Sequence, residues 1–168
     1  MADKLFELRG ASLYYPLTRG VLRRSYAYVK AVDGVDLDIY EGETLGIVGE
    51  SGCGKTTLGK ALALLEGLTG GSLRFHMDGS WKDLGALSKE EKLAWHRHVQ
   101  MIFQDPAAAL NPMKRIYNAL EEPLKVQGMG DRAAREAVMQ QVLSLVGLSL
   151  EALSKYPHEF SGGQRQRI

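Results

Sequence analysis

Cysteine is almost absent from this sequence, since Cys53 is the only one among 168 residues. A single thiol cannot form an internal disulfide, and it excludes every metal site built from several cysteines. Long hydrophobic runs are absent too: the run at 61–65, "ALALL", is far shorter than the roughly 20 residues that cross a bilayer. The opening "MADKLFELRG" lacks the apolar segment of a signal peptide. We therefore expect a cytoplasmic protein.

A strong excess of charge is also missing. The 21 Lys and Arg residues balance 20 Asp and Glu residues, so the net charge is +1 and nothing indicates a nucleic-acid partner. The hydrophobic share of 45% and the charged share of 24% are typical of a soluble globular protein. A chain of 168 residues has the length of one domain, with room for a subdomain.

The first half of the chain alternates strand and helix patterns. Residues 35–40, "VDLDIY", place Val35, Leu37 and Ile39 on one face, as in a half-buried strand, and "EGE" follows as a turn. The apolar runs 44–48, "TLGIV", and 99–103, "VQMIF", are predicted to be strands buried on both faces. Between them we predict a helix from Lys55 with Leu58, Leu62 and Leu65 on one face, a strand at 72–76, and a helix capped by Ser88 and Glu91.

The second half is helical. A helix is predicted over 116–126, and Asp131 is the expected N-cap of another helix that ends at Gly147. Its apolar face is predicted to hold residues four apart, namely Ala134, Val138, Val142 and Val146. We place the boundary near Pro106, giving residues 1–105 as a core and 106–168 as a helical subdomain.

The segment 49–56, "GESGCGKT", matches the phosphate-loop pattern G-x-x-x-x-G-K-[ST] at every fixed position. Its glycines allow successive amide N–H groups to converge on phosphate oxygens at the start of a helix. Lys55 is predicted to reach the β and γ phosphates, and the Thr56 hydroxyl to bind Mg²⁺. A chance match in a glycine-rich turn is the competing interpretation, and the flanking strand and helix patterns argue against it. The predicted nucleotide contacts in this phosphate loop are Gly49, Glu50, Ser51, Gly52, Cys53, Gly54, Lys55, Thr56 and Thr57.

A second serine- and glycine-rich stretch, 161–164 or "SGGQ", lies near the end of the sequence and precedes Arg165. Alone it reads equally well as a helix cap. Together with the phosphate loop and Gln104, it resembles the signature motif of the ABC transporter ATP-binding subunits. In that family the signature of one subunit contacts the γ-phosphate of ATP held by the other. The resemblance implies that the signature segment, namely Ser161, Gly162, Gly163 and Gln164, contacts nucleotide.

The resemblance also implies roles for residues outside the two loops. Gln104 in "FQDP" is similar to the family's glutamine near the Mg²⁺ ion and the attacking water, so Lys55 and Gln104 are the expected catalytic residues and Thr56 and Gln104 the metal contacts. Tyr26, with Tyr28 as the alternative, is placed as the aromatic ring that stacks on adenine. ATP and Mg²⁺ are the implied cofactors. The implied fold is α/β: a P-loop NTPase (RecA-like) core, an N-terminal antiparallel β segment and a helical subdomain.

Longer matches, such as "AVDGVDLDIYEGETLGIVGESGCGKTTLGKAL" and "YPHEFSGGQRQRI", resemble the oligopeptide and dipeptide importer branch, which includes nickel and glutathione systems. This implies a second ATP-binding subunit, identical or paralogous, and two membrane-spanning permease subunits. An extracytoplasmic solute-binding protein would act indirectly. The expected location is the cytoplasmic face of the membrane, as a peripheral subunit.

Two later elements of the family, an apolar strand ending in Asp-Glu and a switch histidine, have no counterpart after the signature segment. We therefore expect an N-terminal portion of a longer ATPase that binds ATP with little turnover. The alternatives are a non-transport ABC ATPase and a regulatory module that only binds ATP. A P-loop kinase would leave the signature segment unexplained.

Overall fold

The chain forms two compact units, Met1–Met101 and Ile102–Ile168. A computed structural model describes residues 3–19, 24–77, 79–105 and 109–168. Pro106, where the sequence places the subdomain boundary, lies outside the described residues. Each unit has its own hydrophobic core, and we describe each by itself.

The first unit is built on a four-stranded antiparallel sheet with the order β2-β1-β3-β4. Its strands are β1 (Lys4–Arg19), β2 (Arg24–Tyr40), β3 (Gly70–Met77) and β4 (Ser80–Asp83). The predicted N-terminal antiparallel β segment and the strand at 72–76 are thus confirmed.

The pairing of β1 with its neighbours explains the alternating pattern of the sequence. Leu8 lies opposite Leu37 on β2 and opposite Leu73 on β3, so one face of the sheet collects apolar side chains. Val35, Leu37 and Ile39 pack against the buried core, as predicted. Phe6, Phe75 and Trp95 form an aromatic cluster in that core, with ring centroids 4.7–5.9 Å apart.

The predictions of buried strands at 44–48 and 99–103 are wrong. Neither segment is a strand in the described structure, and Val48 and Ile102 are 96% and 93% exposed. The physical reason is hydrogen bonding: a strand buried on both faces needs a partner along its edges. No strand of the described sheet pairs with either segment.

Two helices complete the first unit. Helix α1 (Lys55–Leu62) begins where the sequence predicts it, but it ends earlier, and Leu65 is exposed rather than part of its buried face. A 3-10 turn (Leu84–Ala86) leads to helix α2 (Lys89–Trp95). The predicted capping box is confirmed, because the Ser88 hydroxyl accepts from the Glu91 N–H and the Glu91 carboxylate accepts from the Ser88 N–H.

The second unit consists of helices and short 3-10 turns around a small core of Ile116, Leu143, Ala152 and Phe160. Its described elements are α3 (Ile116–Val126), α4 (Arg132–Leu145), 3-10 turns at Leu150–Ser154 and Pro157–Glu159, and α5 (Gly162–Arg167). The bounds of α3 and the N-cap at Asp131 are confirmed. Gly147 follows the end of α4 with a φ of 67°, as expected for the residue that ends a helix.

The predicted buried face of α4 is wrong by one position. Arg135, Met139 and Leu143 are the buried residues, whereas Val142 is exposed. On this buried face the Arg135 guanidinium donates to Oε1 of the buried Glu121 carboxylate on α3, from Nη2 at 3.1 Å and from Nε at 3.2 Å. The same guanidinium donates to the carbonyl oxygens of Met129 and Gly130. Arg135 and Glu121 are buried together, since neither charge could stay buried alone.

The carboxylate in this pair is also bound from the surface. Lys125 Nζ lies 2.8 Å from Glu121 Oε2, and Tyr117 donates to the same carboxylate. The Lys125 hydrogen bond, followed by that of Arg135, holds the pKa of Glu121 below its ordinary value, so the pair is ionised near neutral pH. None of the helices in the described ranges has the length and apolar character needed to span a membrane.

Candidate nucleotide-binding site

The backbone of the phosphate loop has the shape its glycines predict. Gly52 and Gly54 have φ angles of 82° and 97°, in the left-handed region. Gly54 is the N-cap of α1, and a Cβ there would lie 2.0 Å from the carbonyl oxygen of Ala31 on β2. Only glycine fits at this position, so the packing of the loop against β2 depends on Gly54.

The Lys55 ammonium lies over the loop it belongs to. Its Nζ donates to the carbonyl oxygens of Gly49 at 2.9 Å and Glu50 at 2.6 Å, and it lies 3.6 Å from Cys53 Sγ. A phosphate would compete with these neutral acceptors, because an ammonium prefers an anionic oxygen. Nucleotide binding would thus exchange loop carbonyls for phosphate oxygens around one cation.

A cavity of about 350 Å³ adjoins the loop within the first unit. It is lined by Cys53, Gly54 and Lys55 together with the β2 segment 30–33, Val35, Ile47, Val48 and Leu58. No pattern in the sequence indicates that β2 residues line this cavity. Their approach to Gly54 depends on the register of the sheet, and no local motif signals it.

The other predicted loop contacts are accessible. Gly49, Glu50, Ser51 and Thr56 are exposed, and Thr57 is half-buried in the first turn of α1. A hydroxyl in this turn can reach a cation bound to phosphate, because the backbone N–H groups of a helix N-terminus face the same anion. The residues present therefore fit a Mg²⁺-nucleotide.

The signature segment opens α5 in the second unit. Ser161 is the N-cap: its Oγ accepts from the Gln164 N–H at 3.3 Å, and Gln164 Oε1 accepts from the Ser161 N–H at 3.0 Å. Gly162 and Gly163 are exposed, and a Cβ at either would meet nothing within 4 Å. Arg167 anchors the other end of α5 by donating to the carbonyl oxygens of Val146 and Gly147, at 2.9 and 3.4 Å.

Gln104 and Tyr26 are both surface residues. Gln104 is exposed and belongs to the second unit, whereas the phosphate loop belongs to the first. Tyr26 is 67% exposed on β2, and it is not among the residues that line the cavity beside the loop; neither is Tyr28. Their predicted roles as a metal contact and as adenine stacking rings stay predictions.

Comparison with known proteins adds three findings on sequence. The model of the family described as "ABC transporter" matches residues 32–168. The oligopeptide transport ATP-binding protein AppF of Bacillus subtilis (strain 168) is 42% identical over 167 residues, covering 99% of this chain and 50% of that protein. The di/tripeptide transport ATP-binding protein DppF of Pseudomonas aeruginosa (strain UCBPP-PA14) is 42% identical over 166 residues, with 99% and 50% covered. The chain thus spans about half the length of the curated relatives it matches.

One solved structure extends the likeness to three dimensions. The dimeric ATP-binding cassette MJ0796, bound to ADP and Pi in a post-hydrolysis state, matches with a TM-score of 0.75 and 25% sequence identity. The match covers 97% of this chain and 66% of that chain. The chain therefore has the fold class of the ATP-binding cassettes, an antiparallel sheet together with helices.

Proposed function

This chain belongs to the ABC transporter family, and on that premise we propose that it is part of the subunit that binds and hydrolyses ATP in an importer for peptides. The family match and the identity to oligopeptide and di/tripeptide transport ATP-binding proteins support this proposal. The single observation that carries it is the phosphate loop. In this loop only glycine fits at Gly54, and Lys55 Nζ donates to the carbonyl oxygens of Gly49 and Glu50.

In the proposed mechanism the loop binds the triphosphate first. The N–H groups at the start of α1 and the Lys55 ammonium neutralise the β and γ phosphates. Thr56 would hold the Mg²⁺ ion, which would supply positive charge to the phosphate oxygens in the transition state. Gln104 orients the water that attacks the γ-phosphate.

The signature segment serves the nucleotide of a second ATP-binding subunit. Its glycines are exposed and surrounded by open space, which suits a surface that another molecule covers. The hydroxyl of Ser161 and the N–H groups that open α5 present donors to an anion. Two such chains would enclose two ATP molecules. Two membrane-spanning permease subunits on the cytoplasmic face of the membrane complete the proposed assembly, and a solute-binding protein delivers the peptide to them.

Binding of a fluorescent ATP analogue to the purified chain tests the nucleotide site. Lys55→Met removes the cation and is expected to weaken binding about 10- to 100-fold, the range for hydrogen bonds to charged groups. Lys60→Met is the matched control, because Lys60 lies on the same helix and pairs with Glu66 at 3.9 Å rather than with the phosphate loop. Equal binding by the wild type and Lys55→Met would overturn the proposal.

A further inference from the structure

The cavity beside the phosphate loop has two charged side chains on its β2 wall that the nucleotide contacts proposed above do not use. Lys30 and Asp33 line this cavity together with Gly54 and Lys55. The side chains of Lys30 and Asp33 are 58% and 52% exposed, so a ligand in the cavity can reach both. The cavity volume of about 350 Å³ lies at the small end of the range for ligand pockets, which is enough for part of a nucleotide.

A β-bulge in β2 brings these two side chains together. Tyr14 and Leu13 are adjacent on β1. Their partners on β2 are Lys30 and Val32, which are two apart, so β2 contains one extra residue at this point. Residues three apart in a regular strand point to opposite faces of the sheet. Because of the bulge, Lys30 Nζ instead lies 3.1 Å from Asp33 Oδ2. Bulges of this kind redirect side chains and are common beside functional sites.

The bulge also contacts the phosphate loop. Its extra residue, Ala31, has the carbonyl oxygen that lies against Gly54, where a Cβ would be only 2.0 Å away. Asp33 follows two residues later, and at about 3.3 Å per residue it lies about 7 Å further along β2. In a nucleotide the α-phosphate separates the sugar from the β-phosphate. Asp33 is therefore at a spacing from the loop that suits the sugar of a nucleotide whose β-phosphate the loop binds.

The charge of Asp33 favours the sugar over a phosphate. Its carboxylate accepts from the Tyr14 hydroxyl and from Lys30 Nζ. These two hydrogen bonds, that of Tyr14 first, hold the pKa of Asp33 below its ordinary value, so the group is an anion at neutral pH and repels phosphate oxygens. A carboxylate accepts about four hydrogen bonds, so it can accept from a ligand as well. The ribose hydroxyls are the donors nearest to the phosphates of a nucleotide.

We propose that Asp33 accepts hydrogen bonds from the ribose hydroxyls of the bound nucleotide, while Tyr14 and Lys30 hold its carboxylate in place. This inference rests on the proposed nucleotide function, and it adds a preference for ribonucleotides over 2′-deoxyribonucleotides. Asp33 is thus a binding residue, and Tyr14 is a positioning residue that acts through it.

Isothermal titration calorimetry of the purified chain measures this preference. ADP and 2′-deoxy-ADP, each with Mg²⁺, differ in one hydroxyl, and neither has a γ-phosphate that hydrolysis could remove during the titration. ADP is expected to bind about three- to tenfold more tightly, the ratio for one hydrogen bond. Equal affinities would overturn this inference and leave the nucleotide function in place, whereas no binding of either nucleotide would contradict both.

Variants assign the preference to Asp33. Asp33→Ala should weaken ADP binding to the level of 2′-deoxy-ADP and leave 2′-deoxy-ADP binding unchanged. Asp36→Ala is the matched control and should keep the preference, because Asp36 also lies on β2 and accepts from the Gly10 N–H at 2.6 Å but is not a lining residue of the cavity. Lys55→Met should weaken both nucleotides by the same factor, since its proposed contact is with phosphate. A preference that survives in Asp33→Ala would overturn the inference.

Tyr14→Phe tests the positioning role with little change to the fold. The ring over which Lys30 Nζ lies, 5.2 Å from the centroid, remains, and only the hydroxyl that donates to Asp33 is lost. The ratio of the two affinities should fall towards one, while the affinity for 2′-deoxy-ADP stays unchanged. Thermal unfolding checks that every variant is folded. An unchanged ratio in Tyr14→Phe would contradict the positioning role of Tyr14.

Discussion

The phosphate loop and the signature segment are both rich in serine and glycine and both open a helix, yet the chain builds them differently. The phosphate loop contains two left-handed glycines, presses against the carbonyl oxygen of Ala31, and is covered by the Lys55 ammonium. The signature segment has an ordinary capping box, and its glycines have free space around them.

This difference separates two uses of glycine. In the phosphate loop, Gly54 is required by the fold of its own unit, since any side chain would strike the backbone of β2. In the signature segment, Gly162 and Gly163 are not required by their own unit at all. Glycines that the local structure does not need indicate a close approach by another molecule, which agrees with the proposed role at a second subunit's nucleotide.

The largest effect is expected from Gly54→Ala. A left-handed backbone with a Cβ costs about 2 kcal/mol, and the clash with the Ala31 carbonyl adds to it. Chemical denaturation should show the loss of stability, and ATP binding should disappear. Gly46→Ala is the control, because a Cβ at Gly46 meets nothing within 4 Å.

The corresponding substitution in the signature segment, Gly163→Ala, should leave stability unchanged or increase it. Gly163→Ala lies in the first turn of α5 with open space around it, and alanine is up to about 1 kcal/mol better than glycine in a helix. The same denaturation experiment should show unchanged or increased stability. A loss of stability as large as that expected for Gly54→Ala would contradict the proposed difference between the two segments.

Ser161 allows its structural and proposed binding roles to be separated. Ser161→Ala removes the N-cap and should cost about 1 kcal/mol, whereas Ser161→Asp keeps a capping oxygen and should be nearly neutral for stability. Both should abolish ATP-dependent association of two chains, measured by light scattering, since aspartate repels phosphate. Association that survives Ser161→Asp would contradict the proposed contact.

Arg167→Ala should have a smaller effect, because this side chain is exposed. It contacts the carbonyl oxygens at the end of α4, where a cation stabilises a helix by about 0.3–1 kcal/mol. Thermal unfolding should detect a change of this size. Arg132→Ala, which removes an exposed pair with Glu136 at 2.8 Å, is a suitable comparison on α4.

The smallest perturbation is chemical labelling of Cys53, which leaves the fold unchanged. Cys53 is a free and exposed thiol within the phosphate loop, so bound MgATP should cover it and slow its reaction with a maleimide several-fold. Mass spectrometry would follow the reaction with time. A labelling rate that MgATP does not change would show that nucleotide does not cover this part of the loop.

The elements predicted correctly are those whose signals are local. The capping box at Ser88, the N-cap at Asp131, the start of α1 after the phosphate loop and the bounds of α3 all follow from a few adjacent residues. The prediction of a buried strand at 44–48 was wrong because a strand depends on a hydrogen-bonding partner elsewhere in the chain. The prediction of the buried face of α4 was wrong because Arg135 lies on that face, paired with Glu121 of another helix. No local pattern indicates this pair.

The sequence by itself determined the phosphate loop, the capped helices and the family, because each depends on the order and spacing of neighbouring residues. Tertiary structure alone decided that β2 packs against Gly54 and that Arg135 is buried with Glu121. Such contacts join residues far apart in the chain, and the sheet register and helix packing that bring them together are set by the free energy of the whole unit.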